Sequence, residues 1–125
     1  MAYSTSTPAG QAVQNILNDL PGLMAVAIVD ISSGMSLASH SNSAINPDTA
    51  AAYNTEVIKQ KQKAINALKL QGESIDDILM TLSNQLHLLK VVNEGKKFIY
   101  LVVNPRDTNL AIAREVVRAQ AELLK

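Results

Sequence analysis

The chain has 125 residues, a length that suits one domain and leaves no room for two full ones. Hydrophobic residues make up 47% and charged residues 18%, which is typical of a globular protein and excludes wholesale disorder. Eleven basic residues balance eleven acidic ones, which argues against charge-driven binding of nucleic acid, and the absence of cysteine excludes disulfide scaffolds and thiol catalysis.

The beginning of the chain carries no targeting signal that we recognise. Residues 1–10 are polar and uncharged, whereas a signal peptide has a basic start and an apolar stretch. The longest apolar runs, Leu23 to Val29 and Phe98 to Val103, are far shorter than the roughly 20 residues that span a bilayer. We therefore expect a soluble, cytoplasmic protein that does not insert into a membrane.

A first helix is predicted close to the N-terminus. We expect residues 1–9 to form a flexible tail and residues 10–125 to form a single domain. Thr7 and Pro8 provide a possible helix cap and first turn. Apolar residues then recur at helical spacing until Pro21 and Gly22, which end the helix.

The next segment predicts a hairpin followed by a long helix. Leu23 to Val29 is apolar on both alternating sets, as in a central strand, and Met35 to His40 is a more polar strand nearer an edge. Asn46 and Pro47 begin a helix that we expect to run to Gln71. Lysine and asparagine interrupt its predicted apolar side, which consists of Ala50, Tyr53, Val57, Ile58, Ala64, Ile65 and Leu68.

Three further strands and a last helix complete the predicted elements. The strands begin near Ile78, Leu86 and Phe98, and the third of them is again apolar on both faces. Asp107 or Thr108 is expected to cap a helix that continues to the end of the chain.

The order of the strands follows from hairpin pairing and burial. Hairpins give the pairs 2-1 and 3-4-5, and joining them through their most apolar members gives an antiparallel sheet in the order 2-1-5-4-3. Strands one and five need cover on both faces, so we expect a three-layer α/β sandwich. The long helix would cover one face, and the two terminal helices would cover the other.

This pattern resembles the roadblock/dynein light chain family over roughly Val13 to Leu124. The resemblance rests on Leu20-Pro21-Gly22-Leu23, on Val29-Asp30 with Ser33-Gly34, and on Asn109-Leu110-Ala111. It implies a roadblock fold of the profilin-like type, and related profilin-like sensor and longin domains remain alternatives at the level of fold.

The resemblance also implies a partner. Family members bind and regulate small Ras-like GTPases or act as adaptors, and they pair with themselves or with a paralogue through strand three and the long helix. Strand three has no proline or lysine to protect its edge, so the sequence independently permits this pairing. The candidate interface residues are Val57, Lys61, Ala64, Ile65, Leu68, Ile78, Leu79, Met80, Thr81 and Leu82.

Lysines on the long helix offer a second candidate surface. Lys61 interrupts the apolar side, and we expect its stem to pack between two long helices while its ammonium reaches water. Lys59 and Lys63 are candidates for binding the GTPase, although a merely solvated surface is the commoner explanation for such residues.

No pattern in the chain predicts catalysis, a metal or a cofactor. His40 and His87 lack metal-binding spacing, and a hydrogen-bonded histidine in a strand explains His87 better. There is no nucleophile elbow and no glycine-rich phosphate loop. We therefore expect a non-enzymatic regulator or adaptor. The alternatives are a scaffold subunit of a motor, polarity or signalling complex, and a small-molecule sensor with an apolar cavity.

Overall fold

The computed structural model describes residues 3–125 and contains a five-stranded antiparallel sheet in the order β2-β1-β5-β4-β3. The strands are β1 (Leu23–Asp30), β2 (Ser36–Ser41), β3 (Asp77–Thr81), β4 (Leu86–Val92) and β5 (Lys97–Val103). The helices are α1 (Pro8–Asp19), α2 (Pro47–Ala67) and α3 (Leu110–Gln120), with short 3₁₀ turns at Asn93–Gly95 and Ala121–Leu124. The predicted strand order is confirmed.

Two hydrophobic clusters lie on opposite faces of this sheet. The first joins α1 and α3 to one set of alternating strand residues, including Ile28, Leu88 and Leu101. The second joins α2 to the other set, including Val29, Leu89 and Tyr100. β1 and β5 contribute to both clusters, which confirms the predicted three-layer sandwich with the long helix alone on its face.

The first two helices begin at the predicted caps. The Thr7 hydroxyl accepts a hydrogen bond from the Gly10 N–H at 3.0 Å, and Pro8 occupies the first turn. Helix α1 thus begins inside the predicted tail 1–9, and Ala9 is already buried. The Asn46 side chain accepts from the backbone of Asp48 and Thr49 at the start of α2.

Three predicted helix boundaries are wrong. Helix α3 ends at Gln120 and is followed by the 3₁₀ turn Ala121–Leu124, so it does not continue to the end of the chain. Helix α2 ends at Ala67 instead of Gln71, because Lys69 takes the left-handed conformation at φ 55° that glycine usually supplies. The Lys69 and Leu70 N–H groups then bond back to Asn66 and Ile65, which closes the helix. Helix α3 is capped by Asn109, not by Asp107 or Thr108, since the Thr108 hydroxyl donates to the Pro21 carbonyl instead.

None of the helices in residues 3–125 combines the length and apolar character needed to cross a bilayer.

Candidate interaction surface

Strand β3 forms one edge of the sheet. Its five residues pair with β4 from Asp77 opposite Lys90 to Thr81 opposite Leu86. Within residues 3–125 no strand pairs with its other side. A row of backbone N–H and C=O groups therefore faces outward, as is required for pairing with another chain.

The side chains of β3 alternate between the two faces of the sheet. Leu79 packs against the cluster under α1 and α3, whereas Ile78 packs against the cluster under α2. Met80 follows Ile78 on the α2 face and is 46% exposed, and Thr81 and Leu82 are also exposed. The edge thus presents apolar side chains to solvent on the face that α2 occupies.

Helix α2 carries a second apolar stretch that the core does not use. Its buried face consists of Ala51, Thr55 and Ile58. About a third of a turn away, at steps of about 100° per residue, lie further residues at spacings of three and four. We call them the α2 stripe: Tyr53, Val57 and Lys61, which are exposed, Ala64, which is half-buried, and Leu68, which is exposed at the C-cap of the helix. Tyr53 is 75% and Leu68 is 68% exposed, which is unusual for side chains of this kind.

The structure therefore divides the single apolar side predicted for α2. Ile58 faces the sheet and is fully buried, and Ala50 packs against the same cluster. Ile65 is half-buried and lines an open cleft of about 810 Å³ between the end of α2, residues 73–76 and the turn after β4. The remaining apolar residues point away from the sheet in the α2 stripe.

The three candidate lysines of α2 lie on two sides of the helix. Lys61 is exposed and lies within the α2 stripe. Lys63 is exposed and Lys59 half-buried, and the helical period places both about 160° around the helix from Lys61.

The start of β3 carries two carboxylates that are both paired. The Arg114 guanidinium, from α3, donates to the two Asp77 carboxylate oxygens at 3.0 Å each. Lys90, from β4, forms an ion pair with Asp76, and this hydrogen bond and charge hold the pKa of Asp76 below its usual range. Thus α3 and β4 both hold the first residues of the edge strand.

The histidine of β4 is hydrogen-bonded, as the sequence predicted. His87 Nδ1 lies 3.2 Å from the Tyr100 hydroxyl, and Nε2 lies 2.8 Å from Gln85 Oε1. Burial lowers the pKa of His87 and raises the pKa of Tyr100 to about 12. These contacts fit a neutral imidazole that accepts from the tyrosine and donates to the glutamine.

No three potential ligands among His, Asp and Glu cluster as a metal site in the described chain from Tyr3 onward. His40 lies away from His87 and packs edge-on against Tyr3, with ring centroids 6.4 Å apart.

Sequence reasoning did not single out two residues of this surface. Tyr53 was placed on the apolar side of the helix but not among the interface candidates, although its spacing of four from Val57 was the available signal. The contact between Arg114 and Asp77 joins residues 37 positions apart, and no local sequence pattern predicts it.

The chain matches no family model, and no curated protein sequence matches it. Solved structures do match its fold. MglB of Myxococcus xanthus has a TM-score of 0.80 at 15% identity, over 99% of this chain and 90% of that one. A Roadblock/LC7 domain from Streptomyces avermitilis has a TM-score of 0.76 at 12% identity, over 90% of both chains.

A third similar structure is the gliding protein MglB of Thermus thermophilus. Its TM-score is 0.66 at 19% identity, over 92% of this chain and 89% of that one. Together with the strand order, these likenesses show that the chain has the roadblock fold, which the sequence predicted.

Proposed function

We propose that this roadblock-fold chain is a cytoplasmic, non-enzymatic regulator or adaptor of a small Ras-like GTPase and that it works as a pair, with itself or with a roadblock paralogue. The observation that carries the proposal is the outer edge of β3, with which no strand in residues 3–125 pairs, together with the exposed side chains of the α2 stripe. The sequence resemblance to a family that regulates such GTPases supports the choice of partner.

The exposed residues fit a self-complementary interface. Two copies related by a two-fold axis would add β3 to β3 and extend the sheet. The same axis would allow each stripe to bury Tyr53, Val57 and Leu68 against the other copy. A stable pair buries about 1,200–2,000 Å² in total, and an edge strand combined with a helix of 21 residues offers surface on that scale.

The dipole of α2 favours an antiparallel arrangement of the two helices. Antiparallel neighbours oppose their dipoles, whereas parallel neighbours align them. The helical period places Asp48, Glu56, Lys59 and Lys63 outside the α2 stripe, so Lys61 is the charged residue of the stripe that a second helix would meet.

Within this pair Lys61 lies at the seam between the helices. Its four-carbon stem would pack on the partner's stripe while the ammonium stays in water or meets an acceptor on the other helix. Lys59 and Lys63 stay outside the seam because they lie on nearly the opposite side of α2. They are then free to attract an acidic surface of the GTPase, so binding should weaken as salt rises.

The proposed role as a regulator or adaptor does not require this chain to have catalytic residues. Neutral His87 is committed to Tyr100 and Gln85, and Asp76 and Asp77 are committed to Lys90 and Arg114. The pair would act by contact, either changing how fast the GTPase hydrolyses GTP or only joining it to other proteins.

Affinity purification from the native organism followed by a GTP hydrolysis assay tests the proposal. The wild-type chain should capture a small GTPase, and the Lys63→Glu variant should capture clearly less of it. Lys61→Glu should instead reduce self-association. A changed rate of hydrolysis indicates a regulator, and an unchanged rate indicates a scaffold. Capture of no GTPase by a paired, folded wild-type chain would contradict the proposal.

A further inference from the structure

The unpaired edge of β3 begins with two acidic residues. Asp76 immediately precedes the strand, and Asp77 is its first residue. Negative charge on an edge strand normally opposes pairing with another chain, because the charge would have to be desolvated or brought near its like. The candidate interface therefore contains a feature that should work against it.

The structure neutralises both charges from elements other than β3. Lys90 of β4 lies opposite Asp77 in the ladder and pairs with Asp76. Arg114 reaches from α3 and forms a fork with Asp77, with Nε and one terminal nitrogen each 3.0 Å from a carboxylate oxygen. Bidentate contacts of this kind are strong and directional.

The fork also determines where the Asp77 carboxylate lies. Asp77 alternates with Ile78, so its side chain points to the α3 face of the sheet, and only 14% of that side chain is exposed. Because Arg114 holds the carboxylate there, it stays out of the plane in which a second strand would add. Without the guanidinium, a partly buried carboxylate next to the outer edge would lose its bidentate partner.

We propose that Arg114 is a positioning residue for self-association through β3, acting by neutralising and holding Asp77. This inference rests on the proposed pairing through β3 and adds that α3, which lies outside the expected seam, strengthens the pairing of the edge. The second arginine of α3 provides a matched control, since among residues 3–125 Arg118 pairs with Glu115, on the exposed surface of its own helix.

Sedimentation velocity on four proteins tests the role of Arg114. Arg114→Ala should raise the dissociation constant about tenfold, because an interface carboxylate loses its partner. Adding Asp77→Asn to this variant should bring the constant back towards the wild-type value, since the charge itself is then gone. Arg118→Ala should leave it unchanged. Thermal midpoints of all four report whether the fold is intact.

The outcomes separate this inference from the proposed function. If the wild type pairs and Arg114→Ala pairs equally well, the role of Arg114 is overturned while the pair stands. If the double variant is as weak as Arg114→Ala, the arginine merely supports the fold, and the inference is again overturned. A wild-type chain that stays monomeric overturns the pairing itself, and the inference with it.

Discussion

The two edge strands of the sheet, β2 and β3, differ in the regularity of their pairing and in the elements that pack against them. Strand β2 contains a bulge. Ile28 lies opposite Ala38 and Val29 lies opposite Ser36, so Leu37 has no partner residue on β1. Helix α1 packs against this strand, and Tyr3 stacks edge-on against His40. Strand β3 pairs regularly over all five residues and has no comparable cover in the described chain.

Serines reinforce the difference at β2. The Ser36 hydroxyl donates to the Ala38 carbonyl at 3.3 Å, and the Ser41 hydroxyl donates to the Ile45 carbonyl at 2.8 Å. These bonds fix the local conformation at both ends of β2, and the bulge between them is a device that keeps an edge from pairing with another chain. Within residues 3–125, the edge at β2 is therefore bulged and packed against α1, whereas the edge at β3 is regular and open, and our proposal assigns assembly to β3.

Lysine placed at each edge gives the largest expected effect. Met80→Lys should weaken self-association by about 2 kcal/mol or more, because the interface must then desolvate a charge. Leu37→Lys is the matched control, since Leu37 on β2 is also 46% exposed and should leave the dissociation constant unchanged. Sedimentation equilibrium measures both. Equal weakening by the two lysines would erase the distinction between the edges.

Residues 3–7 form the N-terminal segment whose Tyr3 packs against β2, and a substitution at Gly10 should displace this segment. A Cβ at this helical position would overlap the Ser4 carbonyl, so Gly10→Ala should force residues 3–7 away from α1. We expect a loss of about 1 kcal/mol in the free energy of unfolding, since the overlap outweighs alanine's better helix propensity. Urea denaturation measures this change.

Removal of residues 1–6 provides the control for Gly10→Ala. With Ser4 gone the overlap disappears, and the same substitution should stabilise the shortened chain through helix propensity alone. Destabilisation of both chains would show that the segment does not press on Gly10.

The two sides of α2 should also differ in their contribution to pairing. Lys61→Glu should raise the dissociation constant of the pair about tenfold, because it reverses charge at the seam. Lys63→Glu makes the same change of charge on nearly the opposite side of the helix and should leave pairing intact. Static light scattering across a dilution series distinguishes them, and equal effects would place the seam elsewhere.

The smallest expected effect is on the pH dependence of stability, for which His87 of β4 is compared with His40 of β2. Burial lowers the pKa of His87 in the folded chain below its ordinary value of 6.5. The unfolded chain therefore binds a proton first as pH falls below about 6.5, and stability declines until the lowered pKa is reached. His87→Gln should remove this slope and His40→Gln should keep it, in urea denaturation at successive pH values. A slope that survives His87→Gln would assign it to another group.

Local signals were sufficient to predict most of the fold. Apolar runs on both faces of β1 and β5 placed these strands in the middle of the sheet, and Asn46 with Pro47 marked the start of α2. The end of α2 was missed because Lys69 takes the left-handed conformation at φ 55°, which residues other than glycine rarely adopt. The lysine side chain gives no signal in the sequence that its backbone will adopt this conformation.

The candidate surface was less predictable than the fold. The apolar side of α2 was visible as one group, but only the packing shows that Ile58 faces the sheet while Tyr53 and Val57 do not. The fork between Arg114 and Asp77 depends on how α3 crosses the sheet, which no local pattern encodes. Helical period shows which residues share a face, and tertiary structure decides what that face contacts.

Hydrogen–deuterium exchange at increasing protein concentration tests the choice of edge most directly. Amides of β3 that point outward should become protected as the pair forms, while those of β2 exchange at the same rate throughout. Protection that grows on β2, or β3 amides that exchange equally fast at every concentration, would contradict assembly through β3.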